Sequence, residues 1–159
     1  MHFVQIVAAG FLFAVGCYDL EVGMGINHSS RVEVYLHLVW ATWDRLPLLT
    51  PAVRERVYLC IRHEAARLKA EIIAIGGIED HVHVLLRLPA TISIADLVKQ
   101  LKGSSSHLAN HEVLPRGFKW QGGYGCGSVS RRLVPTVRNY VLRQEEHHRE
   151  GTIYPSAEI

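Results

Sequence analysis

The chain has 159 residues, 48% hydrophobic and 20% charged. That is the size and balance of one globular domain whose core needs no disulfide or metal staple. Seventeen Lys and Arg against 15 Asp and Glu give a net charge of +2, too mild to announce a nucleic-acid partner by itself; the ten histidines can add positive charge at mildly acid pH. Cys17, Cys60 and Cys126 are odd in number, far apart and without a CxxC pair, which excludes a disulfide framework and points to a reducing compartment.

In chain order, residues 1–30 read as an atypical N-terminal extension. Its run "FVQIVAAGFLFAVGCY" is apolar, yet the first Arg or Lys is Arg31 and the run stops at Asp19. A signal peptide wants a basic start and a membrane span wants about 20 apolar residues. The segment therefore reads as dispensable, and as upstream sequence read through if Met24 is the start. A signal-like or membrane-surface segment is the other reading. No membrane partner is expected.

"RVEVYLHLVW" (31–40) reads as a strand. Thr50 and Pro51 open an amphipathic helix over 51–69, with Val53, Val57, Cys60, Ile61 and Leu68 at helical spacing. "EIIAIGGI" (71–78) and "HVHVLLRL" (81–88) are two strands of a hairpin, with only Glu79 and Asp80 between them. Ser93 caps a helix carrying Ile94, Leu97, Val98, Leu101 and Leu108. "GFKWQGGYGCGSVS" (117–130) is strand-like at its ends, and its "GGYGCG" reads as a flexible linker, since no GK[ST] follows to make a phosphate loop. Residues 135–150 form one last helix with Pro135 in its first turn. The order strand, helix, strand, strand, helix, strand is the split βαβ pattern. It predicts an α+β, ferredoxin-like antiparallel sheet with two helices on one face, plus the C-terminal tyrosine-bearing helix. Residues 31–152 form this domain and 153–159 a tail.

Chemistry concentrates in "DHVHVLL". On a strand, His81 and His83 share a face and Val82 and Val84 take the other. Two imidazoles so spaced can hold a metal ion, although an isolated HxH is also an ordinary surface pair. On the last helix Tyr140, Gln144 and His148 recur at i, i+4, i+8 and share one face. Beside an HxH strand, Gln144 can supply an amide oxygen as third ligand, and Tyr140 can attack a phosphodiester as nucleophile. Taken alone, Tyr140 also reads as an amphipathic tyrosine capping the core.

With "VYLHLVWATWDRLPLLTP", "GGIEDHVHVLLRLP", "LKGSSSHLAN", "KWQGGYGCGSVS" and "YVLRQEEHHRE" in this order, the chain resembles the HUH-type single-tyrosine transposases of small bacterial insertion sequences, relatives of the REP-associated tyrosine transposases. The likeness runs over about residues 31–152. It implies cleavage and rejoining of single-stranded, hairpin-forming DNA through a 5′-phosphotyrosine at Tyr140, without ATP. It also implies Mg²⁺ or Mn²⁺ held by His81, His83 and Gln144, and a cytoplasmic, bacterial, nucleoid-associated location. A domesticated relative acting on repeated palindromes, and a catalytically silent nucleic-acid-binding module on the same sheet, are the alternatives.

The resemblance further implies a homodimer whose sites combine histidines of one subunit with the tyrosine helix of the other, and the glycine run 122–127 is a suitable tether. Lys102, Ser104, Ser105 and Asn110 are candidates for phosphate contact or form a solvated helix end. Arg131 and Arg132, with Arg138 and Arg143, can steer DNA to Tyr140 or simply solubilise the helix. Trp40, Trp43 and Trp120 divide between base stacking and core packing. His107 and His111 lack a third ligand.

Overall fold

A computed structural model describes residues 31–113 and 117–154; residues 1–30, with the alternative start at Met24, and the end of the tail lie outside them. The elements are β1 (Val34–Ala41), α1 (Pro51–Arg67), β2 (Glu71–Gly77), β3 (His81–Leu88), α2 (Ile94–Leu108), β4 (Gly125–Val129), α3 (Val134–Leu142) and α4 (Gln144–Glu150). The sheet order is β2-β3-β1-β4 with every pair antiparallel, the split βαβ arrangement. No described helix is long and apolar enough to cross a membrane.

Both faces of the sheet are covered, and strand parity decides what each buries. Leu36, Leu38 and Trp40 of β1 and Val82, Val84 and Leu86 of β3 meet Val57 and Ile61 of α1 and Leu97 and Leu101 of α2 in the main core. Each such side chain, fully buried, contributes about 1.5–3 kcal/mol. Ser93 starts α2 as its spacing predicts, its Oγ accepting from the Asp96 N–H at 3.1 Å. Thr50 makes no side-chain cap at α1, whose start rests on Pro51 in the first turn.

The opposite face carries α3 and α4. Here a small cluster of Ala74, Leu85 and Val141 seats the helix on β2 and β3. The seat is close: a Cβ on Gly76 would lie 1.9 Å from the Val141 carbonyl oxygen, so only glycine lets α3 approach β2 this far. Gly77 is equally constrained, its would-be Cβ 2.2 Å from the His81 carbonyl oxygen.

Two sequence expectations need correction. The last helix is two helices: Arg143 leaves helical geometry (φ −109°, ψ 24°) between α3 and α4. The glycine run is not a free linker. Gly125 and Gly127 belong to β4, paired with Val39 and His37 of β1. An edge strand needs backbone pairing on one side only, so small residues suffice there. From β4 the chain reaches α3 through Ser130 and the single 3₁₀ turn Arg131–Leu133.

Candidate active site

The histidines lie on the α3/α4 side. His81 and His83, opposite Ala41 and Val39 in the register with β1, are wholly buried, with ring centroids 4.9 Å apart. Each ring is held through Nδ1. His81 Nδ1 lies 2.6 Å from Asp80 Oδ1, and the other oxygen of that carboxylate is 3.5 Å from Arg45. The Asp80 carbonyl accepts from the Thr42 N–H at 2.8 Å, which pins the hairpin turn. His83 Nδ1 shares a 2.9 Å hydrogen bond with Nε2 of His37, a buried residue of β1, and the two rings stack at 5.1 Å. With the proton on His83 Nδ1, and likewise on His81 Nδ1, Nε2 is the nitrogen through which each ring could serve as a ligand.

Tyr140 and Gln144 come to this face from the same chain. The Tyr140 ring stands perpendicular to His83 at 6.0 Å and nearly so to His37 at 6.4 Å. It also packs on His147 at 4.8 Å and on Tyr154 at 5.1 Å, and its hydroxyl accepts from the Tyr154 N–H at 3.3 Å. Gln144 is buried. Its Nε2 donates weakly to the Tyr140 carbonyl at 3.5 Å, while its Oε1 finds no donor among the described residues. An unsatisfied buried carbonyl costs roughly 1–3 kcal/mol, a cost a bound cation would remove. His148 joins the cluster, its ring 5.0 Å from His81.

Among the described residues no group of three His, Cys, Asp or Glu is set to hold a metal. His81 and His83 would therefore need the amide oxygen of Gln144 to make a three-donor set. Two imidazoles with oxygen suit Mn²⁺ or Mg²⁺ better than a closed zinc site. A cavity of about 300 Å³ bordered by Arg54, Tyr58, Gly76, Gln144 and Glu145 opens beside α4. Arg54 pairs with Glu145 there at 2.5 Å, tying α1 to α4 round the edge of β2, and burial pushes the Tyr58 hydroxyl well above its ordinary pKa.

The candidate DNA contacts divide. Ser105 is wholly buried, donating to the Leu101 carbonyl and accepting from Trp120 Nε1, so it does not face DNA. Asn110 clasps the backbone of Phe118 in both directions. Lys102 donates to the carbonyls of Gln121 and Gly123, each at 2.7 Å. These three hold the 118–123 segment on α2. Ser104 is half-buried; Arg131, paired with Glu33 at 3.2 Å, and Arg132 are exposed. Arg143 binds Glu146, whose carboxyl it holds below the usual range. The His107 and His111 rings lie 4.2 Å apart, tilted by 35°, on the surface. Trp40 and Trp120 are core residues, and Trp43 is exposed.

Sequence reasoning misses His37 and the use of Asp80. Both signals are present: His37 has the strand parity that puts it beside His83, and Asp80 directly precedes His81.

A ferredoxin-like sheet with an HxH pair on a central strand, and Tyr140 of α3 and Gln144 of α4 laid over it, is the arrangement of the tyrosine transposases. The family described as "Transposase IS200 like" matches residues 30–144. The transposase for insertion sequence element IS200 of Salmonella typhimurium is 24% identical over 128 residues, 77% of this chain and 84% of the relative; that of Salmonella typhi matches to the same extent. A candidate transposase of Deinococcus radiodurans R1, solved as a crystal structure, superposes with a TM-score of 0.61 at 26% identity, covering 74% of this chain and 95% of that one. A REP-associated tyrosine transposase bound to a REP hairpin shares the fold with a TM-score of 0.58 at 13% identity, covering 82% and 81%. The chain belongs to the IS200-like transposase family.

Proposed function

We propose that the chain is a metal-dependent transposase that cuts and rejoins single-stranded, hairpin-forming DNA through Tyr140. The observation that carries this is the meeting, within one chain, of the Tyr140 ring, the His81/His83 pair and the buried carbonyl of Gln144. His81, His83 and Gln144 would hold Mg²⁺ or Mn²⁺, which supplies Lewis-acid polarisation of a phosphodiester oxygen. Asp80 and His37 fix the ligand rings. Tyr140 gives up its hydroxyl proton and its oxygen attacks phosphorus; the bond to the 3′ oxygen breaks, that oxygen takes a proton, and the 5′ phosphate stays on Tyr140. Attack by another 3′-OH reverses the step and joins strands, so no ATP is needed. The hairpin-bound neighbour supports hairpin DNA as the substrate.

Joining two cut ends needs two tyrosines, which a homodimer supplies. The short β4–α3 connection favours a Tyr140 that serves its own chain's histidines over the trans arrangement that the resemblance implies. The test incubates the protein with a labelled hairpin oligonucleotide and Mn²⁺ and runs a denaturing gel. Wild type should give a covalent adduct, lost with EDTA, and Tyr140→Phe should bind DNA without one. An adduct formed by Tyr140→Phe overturns the assignment. Exchanging subunits between Tyr140→Phe and His83→Ala proteins should give no activity if sites are built in cis, and should restore it if they are built in trans.

A further inference from the structure

The chain has four lysines, Lys69, Lys99, Lys102 and Lys119, and the last three line one open cavity of about 390 Å³. Among the described residues no Asp or Glu lines it; the rest of its wall includes Val98, Trp120 and Tyr124. The cavity is built, not frayed. Lys102 fastens the 121–123 loop to α2 through carbonyls at 2.7 Å, and its charge thereby becomes part of the wall. Asn110 and Ser105 fix the strand-like segment around Phe118 and Trp120. At the rim Tyr124 is 39% exposed, and the Lys119 ammonium lies 3.3 Å over the ring of Trp43, itself 47% exposed.

The cavity is also connected to the candidate site. Trp120 pairs through a backbone bridge with Thr42. Thr42 holds the carbonyl of Asp80, and Asp80 holds His81. These contacts tie the wall of the cavity, on the α2 side of the sheet, to the turn that carries His81.

We infer that the cavity is a nucleotide subsite for the DNA strand, with Lys99 and Lys119 engaging a backbone phosphate and Tyr124 stacking on the adjacent unpaired base. The exposed ammonium groups of Lys99 and Lys119, with no carboxylate among the described lining residues, select an anion, and the exposed Tyr124 ring beside them offers a face to a base. A base within a duplex is covered on both faces, so the ligand is unpaired. The volume lies in the range of small-ligand sites, roughly 300–1,000 Å³. This rests on DNA being the substrate, and it adds where a nucleotide outside the reacting phosphate is held.

The test measures fluorescence anisotropy of a fluorescein-labelled 15-mer of thymidylate across a NaCl series, without divalent metal so that no strand is cut. Lys99→Ala with Lys119→Ala should flatten the salt dependence by about 1.4 in log–log slope, about 0.7 for each contact to a single strand. Tyr124→Ala should weaken binding roughly 5- to 150-fold, with Tyr124→Phe close to wild type. Lys99, Lys119 and Tyr124 are exposed, so the variants should keep the wild-type circular dichroism. Wild type that does not bind the oligomer, or variants with wild-type slope and affinity, would overturn the subsite. Failure of the Tyr140 adduct leaves this measurement untouched, so the two proposals fail separately.

Discussion

The two faces of the sheet are both buried and chemically opposite. Toward α1 and α2, β1 and β3 present leucines, valines and Trp40; toward α3 and α4 the same strands present His37, His81 and His83, beside a smaller apolar seat of Ala74, Leu85 and Val141 packed by Ile73, Val129, Val134 and Val137. Burial on the first face supplies stability by removing apolar area from water. Burial on the second fixes the direction of polar groups, which costs desolvation and is sustained by specific hydrogen bonds. A strand's alternation lets neighbouring residues serve both ends, so Val82 can be core while His81 and His83 are site.

The contrast can be broken from either side. Leu38→Ala should destabilise the fold by about 2–5 kcal/mol, a large share of the roughly 5–15 kcal/mol typical of a domain. Denaturant unfolding should show that loss, while the folded fraction keeps its rate of adduct formation. Gly76→Ala should act on the other face: a methyl group driven into the Val141 carbonyl lifts α3, and a shift of about 1 Å at the nucleophile costs on the order of 100-fold in rate, read as slower adduct formation with the α1/α2 core intact. Asp80→Ala and His37→Ala should weaken Mn²⁺ binding about 10- to 100-fold, measured as free Mn²⁺ by electron paramagnetic resonance. Asp80→Asn, which keeps an acceptor for His81 Nδ1, should lose less. Unchanged Mn²⁺ affinity in the alanine variants would mean that the ring orientations owe nothing to these partners.

Periodicity made most of the fold legible. The strand and helix patterns and the Ser93 cap are local properties, and the order of elements leaves few ways to form a sheet. The HxH pair and the Tyr140/Gln144 spacing are local as well, and both reach the same face. The glycines of β4 were opaque because composition reports backbone freedom, whereas an edge strand is decided by a partner far away in sequence. His37 was hidden for the same reason: its role depends on the β1–β3 register, which places it diagonally across from His83. Lys102, Ser105 and Asn110 show the converse. They are polar residues suited to phosphate, yet they satisfy backbone and indole groups of the segment that crosses α2. The break at Arg143 is likewise invisible to a count of i, i+4 spacings.

The pairing of Val39 with His83 and Ala41 with His81 has one more consequence. Sliding β3 by a single residue would turn both imidazoles in among the leucines of α2 and set Val82 and Val84 before Tyr140. Such a misaligned sheet would have charged-capable rings in a hydrocarbon layer and aliphatic groups where ring partners are required. The apolar core therefore acts as a proofreader of the catalytic geometry: an error in strand alignment is rejected on the side of the molecule that does no chemistry, before any DNA arrives.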